Sequence, residues 1–141
     1  MSTSFEQIAS FEPISGENPK VLILGTMPGK KSLEVKKYYA NKQNQFWRII
    51  YGLFNDVVEE DYEKRKAFLK IHHIAVWDVL KSCDREGSSD SKIIRPVPND
   101  FETFFMNYPG IKAVFFNGKK AGELFNKLVK KEMKHKKHYK I

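Results

Sequence analysis

A four-residue apolar run, Val21-Leu22-Ile23-Leu24, leads straight into Gly25-Thr26-Met27-Pro28-Gly29. This junction constrains the fold more than any other stretch of the chain. The run is apolar throughout rather than alternating, which reads as a strand buried on both faces. Such a strand belongs to a mostly parallel sheet covered by helices. The glycines and proline after it read as a tight turn that exposes backbone at the strand's end. About one helix-length later, Asn44-Gln45-Phe46-Trp47 opens an amphipathic segment in which Phe46, Ile49, Ile50 and Leu53 recur at helical spacing. An amide and two aromatics thus come within reach of the turn. These groups suit the holding of a flat polar heterocycle such as a nucleobase.

The rest of the chain alternates between strand and helix patterns. Residues 61–69 read as a helix, and Ile74-Ala75-Val76-Trp77 as a strand ending at Asp78. Asn99-Asp100 reads as the cap of a short helix through Met106, because short polar side chains bond the free N–H groups of a helix start. Residues 111–116 read as a third strand closed by Asn117-Gly118. Residues 119–133 read as a helix with Ala121, Leu124, Phe125, Leu128 and Val129 on one face. Residues 82–98, SCDREGSSDSKIIRPVP, have the composition of a long loop. Residues 1–19 read as an N-terminal arm anchored by Phe5, Ile8 and Phe11.

This alternation predicts one α/β domain over residues 1–141, a three-layer α/β/α sandwich around a mostly parallel, four-stranded central sheet. The fourth strand is expected to begin at His138-Tyr139-Lys140-Ile141, with a further segment missing beyond it, so the chain reads as truncated at its C-terminus. Right-handed crossovers would set the turns at residues 25–29, 78–83 and 117–118 along one carboxyl edge. Ligands of open α/β sheets bind at that edge.

Composition narrows the function classes. The single cysteine, Cys83, excludes an internal disulfide framework and an all-cysteine iron–sulfur site, and points to a reducing cytoplasm. No apolar run approaches the ~20 residues of a membrane span. The first residues lack the basic start and apolar core of a secretory signal. The net charge of +8 is uneven: residues 119–141 hold nine Lys and two Glu, whereas residues 1–118 hold sixteen Lys or Arg and fifteen Asp or Glu. A lysine run by itself reads first as a solvated face. The cluster Lys30, Lys31, Lys36, Lys37 and Lys42 is more informative, because Tyr38, Tyr39, Phe46 and Trp47 are interleaved with it. Cations for phosphates and rings for bases are the components of a nucleic-acid surface.

Other readings of single motifs stay open on the residues alone. The turn at 25–29 followed by Lys30, Lys31 and Ser32 is one residue short of a phosphate-binding P-loop, and Pro28 has no N–H to offer. Asn44 could be only a helix cap. Phe46, Trp47 and Trp77 could be core, and Asp78 a cap or loop anchor. His72, His73, His135 and His138 have no partner set for a metal, so no metal site is expected. Cys83 reads as a small buried thiol.

In order and spacing, Gly-Thr-Met-Pro-Gly, then Tyr-Tyr-Ala-Asn-Lys-Gln-Asn-Gln-Phe-Trp-Arg-Ile, then Ile-Ala-Val-Trp-Asp-Val-Leu-Lys-Ser-Cys, then Phe-Phe-Asn-Gly resembles the uracil-DNA glycosylase superfamily. Within it the blocks are most similar to the hypoxanthine-DNA glycosylase (DNA-deoxyinosine glycosylase) branch, related to the mismatch-specific uracil enzymes. The resemblance spans roughly residues 20–130. It implies that Asn44 is catalytic, since the third residue of the turn, Met27, cannot orient water. It implies a base pocket of Gly25, Thr26, Met27, Pro28, Gly29, Tyr39, Phe46, Asn117 and Gly118, with Phe46 stacking on the base or bracing its pocket. DNA-backbone contacts would come from Lys30, Lys31, Lys42 and Ser82. The family's second motif, a Pro-Ser loop, would lie beyond Ile141.

The function so implied is a monofunctional repair glycosylase. It would cut the N-glycosidic bond of hypoxanthine or uracil after base flipping, on double-stranded DNA with deaminated or mismatched bases. No cofactor is expected, and a monomer suffices. The alternative from another class is an inactive module that binds damaged bases or nucleic acid through the same pocket.

Overall fold

The computed structural model describes residues 7–130. Strand β2 (Val21–Gly25) lies between β3 (Ile74–Asp78) and β6 (Ala113–Phe116), parallel to both. The register sets Gly25 beside Asp78 and Leu24 beside both Trp77 and Phe116, so the three strands end together. The continuous apolar character of β2 has a direct cause. Leu22 and Leu24 pack into one core, while Ile23 packs against the other. The first core holds α4 (Phe101–Asn107) and α5 (Lys119–Leu124), and the second holds α2 (Phe46–Leu53) and α3 (Tyr62–Ile71). Helices therefore cover both faces of the parallel sheet, the α/β layering expected from the alternation.

The helix starts follow from local chemistry. Asp61 accepts a hydrogen bond from the Lys64 N–H, and Asp100 accepts one from the Thr103 N–H, both at 3.1 Å. A short α1 (Lys30–Val35) follows the turn after β2, and a π-helical segment (Phe125–Lys130) continues α5.

Two expectations need correction. Among the described residues the parallel sheet has three strands, not four. Residues 138–141, expected to begin a fourth, lie outside the described residues, as do Phe5, His135, His138 and the end of the helix expected over 119–133. The stretch 82–98 is not a long loop. It carries most of β4 (Leu80–Asp84) and all of β5 (Ile94–Pro98), which form a second, antiparallel sheet with β1 (Gln7–Ala9) in the order β1-β4-β5. Part of the expected arm is therefore a strand. The signal is weak because β5 is an edge strand, where Pro96 and Pro98 are tolerated. The β4–β5 pairing is also irregular on both sides of Ser82, which breaks the period-two pattern.

Candidate active site

The carboxyl ends of the parallel strands form the floor of a cavity of about 300 Å³. Its lining includes the whole turn 25–29, Lys30 and Lys31, Tyr38 and Tyr39, Asn44, Asp78 and Asn117. Depth separates two groups. Gly25, Thr26, Met27 and Asp78 are buried, whereas Lys30, Lys31, Asn44 and Asn117 are exposed at the rim.

Backbone hydrogen bonds hold the turn in place. The Val79 N–H donates to the Gly25 carbonyl at 2.8 Å, and the Asn117 N–H donates to the Leu24 carbonyl at 2.8 Å. The guanidinium of Arg85, itself buried, donates to the Pro28 carbonyl at 2.6 Å and to the Gly87 carbonyl at 3.0 Å. It clamps the turn to the β4–β5 connection. Pro28 has no N–H, and the Lys30 N–H already donates to Ser88 Oγ at 2.7 Å. The turn therefore offers fewer donors than its length suggests. Gly25 is needed for space: a Cβ there would lie 2.7 Å from Asp78 Oδ1 and 2.9 Å from the Tyr39 hydroxyl.

Tyr39 sits in the left-handed region with φ of 53°, an unfavourable conformation for an aromatic residue. Its neighbours over-determine it. The Tyr62 hydroxyl accepts from the Tyr38 N–H at 3.0 Å, Trp47 Nε1 donates to the Tyr38 carbonyl at 3.2 Å, and Ser32 Oγ accepts from the Ala40 N–H at 3.1 Å. Strain sustained in this way is characteristic of functional sites. It delivers the Tyr39 ring to the cavity.

Three buried polar atoms on the lining have no protein hydrogen-bond partner: Thr26 Oγ1, the Tyr39 hydroxyl and Asp78 Oδ2. Burial pushes the Asp78 carboxyl up to about 7; the Asp90 carboxylate adds to the rise and Arg85 pulls it back. Burial, aided by Asp78, likewise raises the Tyr39 phenol; the Asn117 side chain opposes this from nearby, without closing a hydrogen bond of normal geometry to the hydroxyl. Cys83 is fully buried, and burial raises its thiol.

The structure brings together most, not all, of the site residues expected from the sequence. Residues 25–29, Lys30, Lys31, Tyr39, Asn44 and Asn117 share the cavity. Asn44 Oδ1 accepts from the Phe46 N–H at 2.8 Å, so its side chain caps α2 while standing at the rim. Phe46 is not on the lining. It stacks on Tyr39 with ring centroids 3.9 Å apart and so backs the wall. Gly118 and Lys42 are exposed and off the lining. Ser82 lies in β4, opposite Ala9, and does not reach the cavity. Asp78 does more than the expected capping or loop anchoring. Its main-chain carbonyl takes the Asn99 amide at 2.8 Å, but its carboxyl faces the cavity floor. Its place as the last residue of a buried strand is the signal the sequence offers for it. Ser88 and Asp90 also line the cavity; they come from the stretch that reads as loop.

The family model for the uracil DNA glycosylase superfamily matches residues 13–140. The chain is similar to the hypoxanthine DNA glycosylase of Methanosarcina acetivorans, 40% identical over 114 residues, covering 80% of this chain and 72% of that protein. It is also similar to the hypoxanthine DNA glycosylase of Methanosarcina barkeri, 39% identical over the same shares. The fold matches the solution NMR structure of a candidate uracil DNA glycosylase from Methanosarcina acetivorans. That match has a TM-score of 0.78 and 34% identity, and covers 96% of this chain and 84% of that one.

Proposed function

We propose that this chain, which belongs to the uracil DNA glycosylase superfamily and is a DNA glycosylase, excises deaminated bases from duplex DNA, hypoxanthine foremost, and works as a monomer. The observation that carries this reading is one cavity shared by the turn 25–29 and the amide of Asn44, with polar groups at its floor and Lys30 and Lys31 at its rim. Such a cavity fits a base that has left the stack, an excursion that costs a few kcal/mol and least for mispaired or damaged bases. The rim lysines would meet the phosphates and position the duplex without reading sequence, and the exposed Lys42 would add to them.

The bond to be broken joins C1′ of deoxyribose to a ring nitrogen. Its transition state gathers positive charge on the sugar and negative charge on the departing base. Donors placed beforehand around the base oxygen lower that barrier. Thr26 and Tyr39 within the cavity, and Asn117 at its rim, would supply such donors. Asn44 is at the mouth, where C1′ would lie. An asparagine is a poor general base, so its part is to orient the attacking water and the base edge. No metal or organic cofactor enters this scheme. No lysine is singled out as a nucleophile, so an abasic site rather than a cut strand is the expected product.

Incubation of the chain with duplexes carrying one deoxyinosine or one deoxyuridine, followed by alkali, tests this. Cleavage at the deoxyinosine after alkali, and none before it, is expected. Binding to these duplexes without abasic-site formation would favour a damaged-base binding module instead.

A further inference from the structure

We propose that Asp90 is a further catalytic residue: its carboxylate stands beside the deoxyribose of the flipped nucleotide and faces the positive charge that forms there as the base departs. This assignment rests on the glycosylase reading above and adds to it a partner for the sugar. In that reading Thr26, Tyr39 and Asn117 serve the base and Asn44 the water, so the charge at C1′ is unmatched.

Depth carries the first step. A flipped nucleotide stays tethered to the duplex through its sugar, so the base goes deep and the sugar stays near the mouth. Asp78, the lining's other carboxyl, is 3% exposed on the floor, below the reach of the sugar. Asn44, Lys30 and Lys31 are exposed at the mouth. Asp90 is half-buried, between floor and mouth, where the sugar passes into the cavity.

An uncommitted charge carries the second step. Among the described residues the ion pairs are Lys66 with Glu63 and Arg95 with Asp84, and neither involves Asp90. The Asp90 main-chain carbonyl accepts from the Ile93 N–H at 3.3 Å, but its carboxylate takes no hydrogen bond from a described residue. The nearby guanidinium of Arg85 is committed to the Pro28 and Gly87 carbonyls. A free carboxylate on a cavity that must admit a polyanion opposes binding of the phosphates. It is useful there only against positive charge, and the sugar cation is the positive charge this reaction makes.

The segment around Asp90 is held in place. Ser88 Oγ accepts from the Lys30 N–H at 2.7 Å, which ties the segment to the turn 25–29. Ser89 Oγ accepts from the Ser91 N–H at 3.3 Å and caps the single 3₁₀ turn Asp90–Lys92. A charge fixed before the reaction needs no reorganisation when the cation forms.

In the chemical step the C1′–N bond breaks and both electrons leave with the base. C1′ and the ring oxygen then share the positive charge. Asp90 faces that charge, forms no bond and takes no proton. Water held by Asn44 adds to C1′ and gives its proton to solvent.

Two measurements on the wild type, Asp90→Asn and Asp90→Glu test the assignment. The first is single-turnover excision from a deoxyinosine duplex, with affinity for an undamaged duplex measured beside it. Asp90→Asn should excise about 100-fold more slowly, yet bind the duplex as tightly as the wild type or more tightly. Asp90→Glu keeps the charge and should recover part of the rate. The second compares duplexes that carry, at one abasic position, a neutral tetrahydrofuran or a cationic pyrrolidine. The wild type should prefer the pyrrolidine by about tenfold or more, and Asp90→Asn should lose most of that preference. A wild type with no such preference, a folded Asp90→Asn that keeps it, wild-type excision by Asp90→Asn, or a rate loss matched by weaker duplex binding would overturn the assignment. A wild type that prefers the pyrrolidine through Asp90 but leaves deoxyinosine intact would overturn the glycosylase reading and leave Asp90 its place beside the sugar.

Discussion

Asn44 does two things with one side chain. Its Oδ1 caps α2 through the Phe46 N–H at 2.8 Å, and it stands on the cavity rim. Asn44→Ala removes both contributions, and Asn44→Asp keeps the cap. The alanine variant should lose about 1 kcal/mol, roughly 3 °C in Tm, while the aspartate variant keeps wild-type Tm. Asn44→Ala should lose excision by ~100-fold or more, whereas Asn44→Asp, whose carboxylate can still hold water, should keep more of it. Calorimetry and the deoxyinosine assay check the pair, and a folded Asn44→Ala with wild-type excision would mean the residue is only a cap. Asp78 makes a separate prediction about stability. Its folded-state value of about 7 lies above the ordinary aspartate value of 3.8. Between these values the native state binds more protons than the unfolded chain, so stability contributed by the neutral carboxyl is full below pH ~4 and lost as pH rises through about 7. Asp78→Asn should therefore gain on the wild type by an amount on the order of a few kcal/mol between pH ~4 and ~8. Urea unfolding at the two ends of that window measures it.

The segment 38–40 is the element that most depends on its surroundings. Tyr39 holds φ at 53° because Trp47 on α2, Tyr62 on α3 and Ser32 on α1 each hold a backbone group beside it. Trp47→Phe deletes the bond to the Tyr38 carbonyl and should cost about 1–2 kcal/mol. Tyr39 should then relax from the wall, with excision falling by about tenfold, more than the stability loss explains; single-turnover rates on the folded variant measure this. Legibility in the sequence also varies by element. β2 is readable because both faces of it are buried, which leaves an unbroken apolar run. β4 and β5 are not, because bulged pairing and edge prolines erase the alternation that marks a strand.

At the scale of the whole molecule, charge and shape work together. Exposed Lys30 and Lys31 line the cavity on a chain of net charge +8. Lys30→Gln with Lys31→Gln should weaken binding to any duplex, whatever its base. It should also flatten the log–log salt dependence by about 0.9 for each phosphate that the two lysines neutralise. Titration of an undamaged duplex between ~50 and ~200 mM salt measures that slope. An unchanged slope would place the DNA path elsewhere on the surface. No described helix is long and apolar enough to cross a membrane.

The linear order of residues determined the buried strand, the turn after it, the helix opened by Asn44 and the layering of helices over a parallel sheet. Each of these is a local pattern of apolar spacing and turn chemistry. Which side chains meet at the strand ends was decided only by the tertiary structure. The register that sets Gly25 beside Asp78, the left-handed turn that delivers Tyr39, and the Arg85 clamp all join residues far apart in the chain. Desolvation of Asp78 arises from everything packed around it, so no window of sequence contains it.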